Sequence, residues 1–368
     1  MTDLPLPKSD LPEKIQRFGD PNAPEPARAM AARGLVPVKG EDLVTLLVQL
    51  SADRVDSIAE SARATLGKVP EGALAAAVSA PLHPAILGAL RPFVDTRRKL
   101  LEALAVNRAT PVEVTAAIAL SADERTCERI ATDQERLLEN PSIIEALYKN
   151  RNTRMSTVDR LVELAARNQV ELTGVATFEA HVQAIQGQLI PEPTEDPLPS
   201  DESFQVALAR DGDDDAIERD KVDGSEEVKE DYRPLAMQIY DMSNPEKVRL
   251  SLIGNAAARA ILVRDANRIV AMAAVSSPAM TDAEAAKVAA SKQVSEDVLR
   301  YVSNKREWLG RYEVKRNLVF NSKTPLGQSM KFLSHLRLND LRALARSRNV
   351  QAALRTAARN RLNKRTGA

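Results

Sequence analysis

The chain has 368 residues, with 51 basic and 51 acidic side chains and therefore no net charge at pH 7. That length predicts two or three domains, and a 44% hydrophobic share suffices for ordinary globular cores. A single cysteine, Cys127, excludes an intramolecular disulfide and any multi-cysteine metal site, and 3% aromatics against abundant Ala, Leu, Arg and Glu favours helices over sheets.

In chain order, residues 1–40 carry seven prolines and no apolar run. They read as a Pro-rich flexible segment with a short helix near 26–33, and not as a signal peptide. The most apolar stretch, 73–90, is interrupted by Pro81 and Pro84. A spanning helix needs about 20 strongly apolar residues, so the expectation is a cytoplasmic protein without a transmembrane segment.

Residues 41–190 repeat themselves. Leu100–Thr110 matches Ile143–Thr153 at an offset of 43, with identical residues at Glu102/Glu145, Ala103/Ala146, Leu104/Leu147, Asn107/Asn150, Arg108/Arg151 and Thr110/Thr153. A weaker match at an offset of 171 pairs Leu147 with Leu318, Asn150 with Asn321, Thr153 with Thr324 and Leu137 with Trp308. The shared signature is helix, Asn-x-x-Thr, helix. Asn107, Asn150 and Asn321 are expected to end helices in the left-handed conformation. Thr110, Thr153 and Thr324 are expected to cap the next helix, with Pro111 and Pro325 in its first position. Thr281-Asp282-Ala283-Glu284 reads as a capping box, and Ser295 as a cap followed by two acids.

Residues 191–232 form an acidic block. Within 192–231 there are 16 acidic and four basic residues, several prolines and few large apolar side chains. Such a segment buries too little to offset its ordering entropy, so it reads as a disordered linker. Asp211–Asp215 hints at a calcium loop, but Ala216 and Val222 stand where Gly and Glu belong, so a solvated acidic run is preferred. Residues 233–368 form the second helical-repeat domain. Its part from 298 onward holds 17 basic and three acidic residues, and 341–368 holds eight basic residues and no acid.

A period near 43 residues built on paired helices describes an all-α fold: an α-solenoid of degenerate helical-hairpin repeats in two halves. The segments Leu100–Ala122, Ile143–Ala165 and Val314–Leu336 resemble HEAT-like and leucine-rich-repeat-variant helical repeats. The resemblance spans roughly 41–190 and 235–362. It implies scaffold and adaptor roles and carries over no catalytic residue.

No nucleotide-binding, zinc-protease or serine-hydrolase motif is present. The expectation is therefore a non-catalytic scaffold without cofactor or metal, binding protein partners. An enzyme resembling the helical-repeat DNA glycosylases is a remoter reading, because the acid–aromatic–Arg set such a site needs is missing. Cys127 and His335 read as structural or boundary residues. Trp308 reads as core, with a nucleic-acid stacking surface as the competing reading.

The strongest functional hint is the basic C-terminus. Arg342, Arg346, Arg355, Arg359, Arg361, Lys364 and Arg365 are the candidate residues for an anionic partner, and the alternative function is a nucleic-acid-binding repeat protein. Arg342 and Arg346 stand four apart, as do Arg355 and Arg359, and like charges at that spacing repel until an anion relieves them. The acidic block is a candidate internal competitor for the same residues.

Overall fold

The computed structural model describes residues 4–175, 177–186, 196–209, 216–219 and 225–366. Among them lie 25 α-helices, three 3-10 turns and one two-stranded hairpin, so the fold is all-α. The helices run from four residues (Arg306–Leu309) to fifteen (Ala352–Thr366). No helix of the described residues is long and apolar enough to cross a membrane.

Several helix starts follow directly from the sequence. Asp123, Asp133, Asn255, Asn267, Thr281 and Ser295 each accept a hydrogen bond from a first-turn N–H. The capping box closes as expected: Thr281 N donates to the Glu284 carboxylate at 2.8 Å, and Glu284 N donates to Thr281 Oγ1 at 3.3 Å.

The chain divides into two compact units, Met1–Thr153 and Arg154–Ala368. The division falls between the helices Pro141–Lys149 and Met155–Arg167, ahead of the acidic segment. The helices Met155–Arg167 and Phe178–Ile185 belong to the second unit.

In the first unit the helix Gly40–Leu50 is central. Val44 through Leu50 are all buried, which is the signature of a helix covered on every side. It packs against Glu13–Gly19, Glu25–Ala32, Asp56–Gly67, Glu71–Ser79 and Pro84–Val94. Two of these neighbours come from the segment expected to be flexible. Leu6, Leu11, Ile15, Ala31 and Ala32 are buried, and Gln49 bonds both the N–H and the carbonyl of Leu6, at 2.9 and 2.7 Å. Arg28 and Asp53 form a buried ion pair. The prolines do not loosen this segment: Pro12 and Pro24 immediately precede its two helices, where a missing N–H costs nothing.

Part of the acidic block is folded into the second unit. Residues Pro199–Ala209 form a helix that buries Phe204 and Ala207. Ile217–Arg219 pairs antiparallel with Glu226–Val228, Ile217 facing Val228 and Arg219 facing Glu226. The acids themselves help hold the segment. Asp201 accepts from Ser156 N, Ser156 Oγ and Leu198 N, each at 3.0 Å. The buried Glu226 carboxylate accepts from Arg264 Nε at 3.1 Å and Ser291 Oγ at 2.5 Å, while its carbonyl accepts from Gln293 at 2.6 Å. Composition measured how little apolar area the segment owns, but not how many donors await its carboxylates. Residues 191–195, 210–215 and 220–224, including the calcium-loop candidate, lie outside the described residues.

One joint recurs in both units. Asn107, Asn150 and Asn321 do end helices, but in extended backbone with φ of −70°, −77° and −83°. The left-handed expectation is corrected, because here the side chain ties the joint. Asn107 Nδ2 donates to the carbonyls of Val78 and Ala80 at 2.7 and 2.8 Å. Asn150 donates to Ala119 and Ala122 at 2.7 and 2.9 Å, and Asn321 to Ala289 and Ser291 at 2.9 and 2.7 Å. Each Oδ1 accepts the N–H two residues on, at 2.9, 2.9 and 3.0 Å. Each asparagine thus satisfies carbonyls that an earlier helix leaves over at its end.

The threonines are corrected too. The residues capping the following helices are Pro111, Arg154 and Pro325, without side-chain bonds. Thr110 instead turns back and donates to the Leu104 carbonyl at 2.7 Å. Leu104, Leu147 and Leu318 are all fully buried, as their equivalence predicts. Ser277, Ser291 and Ser347 end other helices and accept the N–H two residues on, at 3.4, 3.2 and 3.3 Å. They repeat the turn without an amide to reach a neighbouring helix.

Candidate anion-binding surface

The second unit ends in a helical hairpin, Leu338–Arg346 and Ala352–Thr366, whose two helices pack on each other. Leu341, Leu344 and Ala345 form the buried stripe of the first helix, and Leu354 and Ala358 that of the second. This 3-4 spacing is what fixes the remaining positions outward. Arg342, Arg346, Arg359, Arg361, Lys364 and Arg365 are exposed, and Arg355 is half-buried.

The expected site residues are thus brought onto one hairpin, with one exception in role. Arg365 donates to the carbonyls of Leu336 and Ser334, both at 2.7 Å, and so closes the end of the preceding helical turn. The other six have no carboxylate within ion-pair distance among the described residues. Arg342 reaches only Asn339 Oδ1, at 3.5 Å. The hairpin's one acid, Asp340, faces the other way and is held by Arg316 Nε at 2.8 Å and by the Tyr312 hydroxyl. Burial would raise its carboxyl, but those two bonds outweigh it and hold it below the usual range. Elsewhere in the unit several exposed arginines are paired, Arg268 with Asp297 at 2.7 Å, Arg300 with Glu296 at 2.7 Å and Arg311 with Asp282 at 2.9 Å, while others such as Arg233 and Arg306 are exposed without an ion pair among the described residues.

The described acidic-segment carboxylates do not meet these cations. Asp201 and Glu226 are engaged with Ser156, Leu198, Arg264 and Ser291.

A second charged group went unforeseen. Asp159, His181, Asp201, Glu246 and Arg249 come from four helices of the second unit, and all are buried. His181 Nε2 lies 3.0 Å from Asp159 Oδ1. Burial raises the Asp159 carboxyl, and the bond to His181 only partly offsets it; Glu246 is raised for the same reason, against its bonds to Ser243. The Arg249 guanidinium stacks 5.1 Å from the Phe204 ring centre. The group is closed to solvent, and it ties the Pro199–Ala209 helix into the unit. His181 and Asp159 stand 22 residues apart, so no short motif could reveal them.

The remaining candidates take structural places. Cys127 is fully buried and accepts from Asn150 Nδ2 at 3.3 Å, inside one of the joints. Trp308 is buried, edge-on to Tyr301 with ring centres 6.0 Å apart, and Lys305 sits over it at 5.2 Å. His335 is exposed beside Ser334, and His83 caps the helix Pro84–Val94 by accepting from Ala85 N. Among the described residues no group of three or more His, Cys, Asp or Glu is placed to hold a metal ion. No protein-family model matches the chain, and no curated protein is detectably similar to it in sequence.

Proposed function

We propose that the protein is a non-catalytic helical-repeat scaffold that docks protein partners along successive helix pairs. The observation that carries this reading is the recurring joint: Asn107, Asn150 and Asn321 make the same three bonds in the same order. A joint repeated with one geometry stacks helix pairs as an α-solenoid does, and such stacks present surfaces that grow with each repeat. The most concentrated titratable group, around Asp159 and His181, is spent inside a unit and offers no cleft to a substrate.

The test is reconstitution. Partners are identified by cross-linking the full chain, then purified and titrated against it by calorimetry. The expected result is saturable binding of a purified partner with cross-links spread over several helix pairs. Turnover of a small molecule that disappears on a single polar substitution would overturn the reading.

A further inference from the structure

Six of the unpaired cations of the terminal hairpin stand on its two helices and have a definite arrangement. At about 100° per residue, Arg355 and Arg359 fall on one flank of the outer face of Ala352–Thr366 and Lys364 on the opposite flank, while Arg361, also exposed, lies close to the line of the buried Leu354. Between the flanks the helix presents Ala352, Thr356, Asn360 and Asn363, all exposed. The face is therefore a strip of small and amide side chains with positive charge on both flanks, two arginines on one and Lys364 on the other. Arg342 and Arg346 extend the charge onto the neighbouring helix.

The face lacks what other anionic partners would need. A protein partner is gripped by aromatic or large aliphatic anchors at the centre of an interface, and this centre has none. Single-stranded nucleic acid is held by stacking on aromatic rings, and no aromatic residue lies on this helix. The exposed large apolar side chains of this unit, such as Met237 and Tyr240, belong to a different helix, Arg233–Asp241.

We infer that the outer face of Ala352–Thr366 lies in the major groove of double-stranded DNA, with its two flanks of cations on the phosphates of the two groove walls. A helix with side chains is about 10–12 Å across, and the B-form major groove is about 12 Å wide. The A-form groove of an RNA duplex is too narrow to admit it. Small central side chains let the helix axis approach the groove floor, while the arginines reach sideways to phosphate oxygens. This surface stands whether or not the repeats also dock a protein.

The experiment uses the full chain and a fluorescent DNA duplex of about two helical turns, followed by anisotropy between about 50 and 200 mM salt. The expected result is a complex that weakens steeply as salt rises. The fourfold variant Arg355→Gln, Arg359→Gln, Arg361→Gln, Lys364→Gln should bind at least about tenfold more weakly, with a log–log salt slope reduced by about 0.9 for each contact removed. The pair Arg359→Gln, Lys364→Gln, both fully outward, should give about half that slope change and guards against misfolding of the fourfold variant. A control removes the same charge from exposed positions of the first unit, Arg33→Gln, Arg54→Gln, Arg63→Gln, Lys68→Gln, and should keep affinity within about twofold. Absence of a complex at low salt, equal loss in the control, or equally tight binding of an RNA duplex or of polyglutamate would each overturn the inference.

Discussion

Arg136 and Arg359 carry the same guanidinium to opposite fates. Arg136, in the first unit, is buried and donates to the carbonyls of Ala105 and Asn107 at 3.1 Å, and to the Thr110 carbonyl and Thr115 Oγ1 at 2.8 Å. Burial lowers its pKa, and the nearby Asp133 only partly compensates. Arg359, on the terminal hairpin, touches no acid and stands in solvent. The first arginine is mortar for a helix end; the second contributes nothing visible to its own fold. Net charge counts both equally, so a basic total says little until each cation's partners are known.

The sharpest way to break this contrast is to remove both in the same manner. Arg136→Met should destabilise the first unit by about 3–5 kcal/mol, because three carbonyls and a hydroxyl lose their shared donor away from water. Arg359→Met should change stability by less than about 0.5 kcal/mol. Urea denaturation of the two variants decides it, and similar midpoints would erase the distinction between structural and free arginines.

A middle-sized effect tests the register of the helices that Arg136 and the asparagines tie together. Leu147 is fully buried on the helix Pro141–Lys149, which packs against Val112–Ala119. Leu147→Ala should cost about 2–5 kcal/mol, the usual range for a buried leucine. A melting temperature equal to that of the parent would show the register to be wrong. Asn150→Ala should cost somewhat less, about 2 kcal/mol, by stranding the Ala119 and Ala122 carbonyls. Asn152 also donates to Ala122, at 2.9 Å, and softens that loss. Ser at Asn150 should restore the local turn but not the reach, as Ser277 and Ser291 do, so Asn150→Ser should recover only part of the stability.

Much of the all-α fold was legible because it is written locally. Helix starts at Thr281 and Ser295 need only the next three residues, and the burial of Leu104, Leu147 and Leu318 follows from their shared place in a period. What was illegible is long-range. The Asn107 side chain bonds residues 27 and 29 positions back, so sequence marked the corner but assigned the wrong device to it. The Pro-rich start and the acidic block were read by composition, which missed that Ile15 and Phe204 each bury fully and that Glu226 finds Arg264 and Ser291. The candidate site was legible as a charge excess. Its division into one arginine that closes a helical turn, Arg365, and six free cations required coordinates.

Acid exposes the smallest difference, and it has opposite signs at Asp133 of the first unit and at Asp159 and Glu246 of the second. In the first, Asp133 is pushed up by burial but pulled further down by Arg108 and the Arg136 N–H, so its folded pKa lies below the usual carboxylate value near 4. A depressed carboxyl contributes stability that is present above that value and lost as pH falls through the folded pKa. In the second unit Asp159 and Glu246 are raised by burial. A raised carboxyl acts the other way: the folded state holds its proton more tightly, so its contribution is greatest below the unfolded pKa and fades as pH rises through the folded one. Acidification from pH 7 toward 3 should therefore erode protection of the first unit through Asp133, while in the second the same loss at Asp340 is opposed around Asp159 and Glu246. Hydrogen exchange resolved by segment reads both at once. Asp133→Asn should flatten the acid loss around Arg108 and leave the second unit's profile unchanged, whereas Glu246→Gln should remove part of the second unit's resistance. If both units lost protection in parallel, and neither substitution changed its own profile, these carboxyls would not be what distinguishes them.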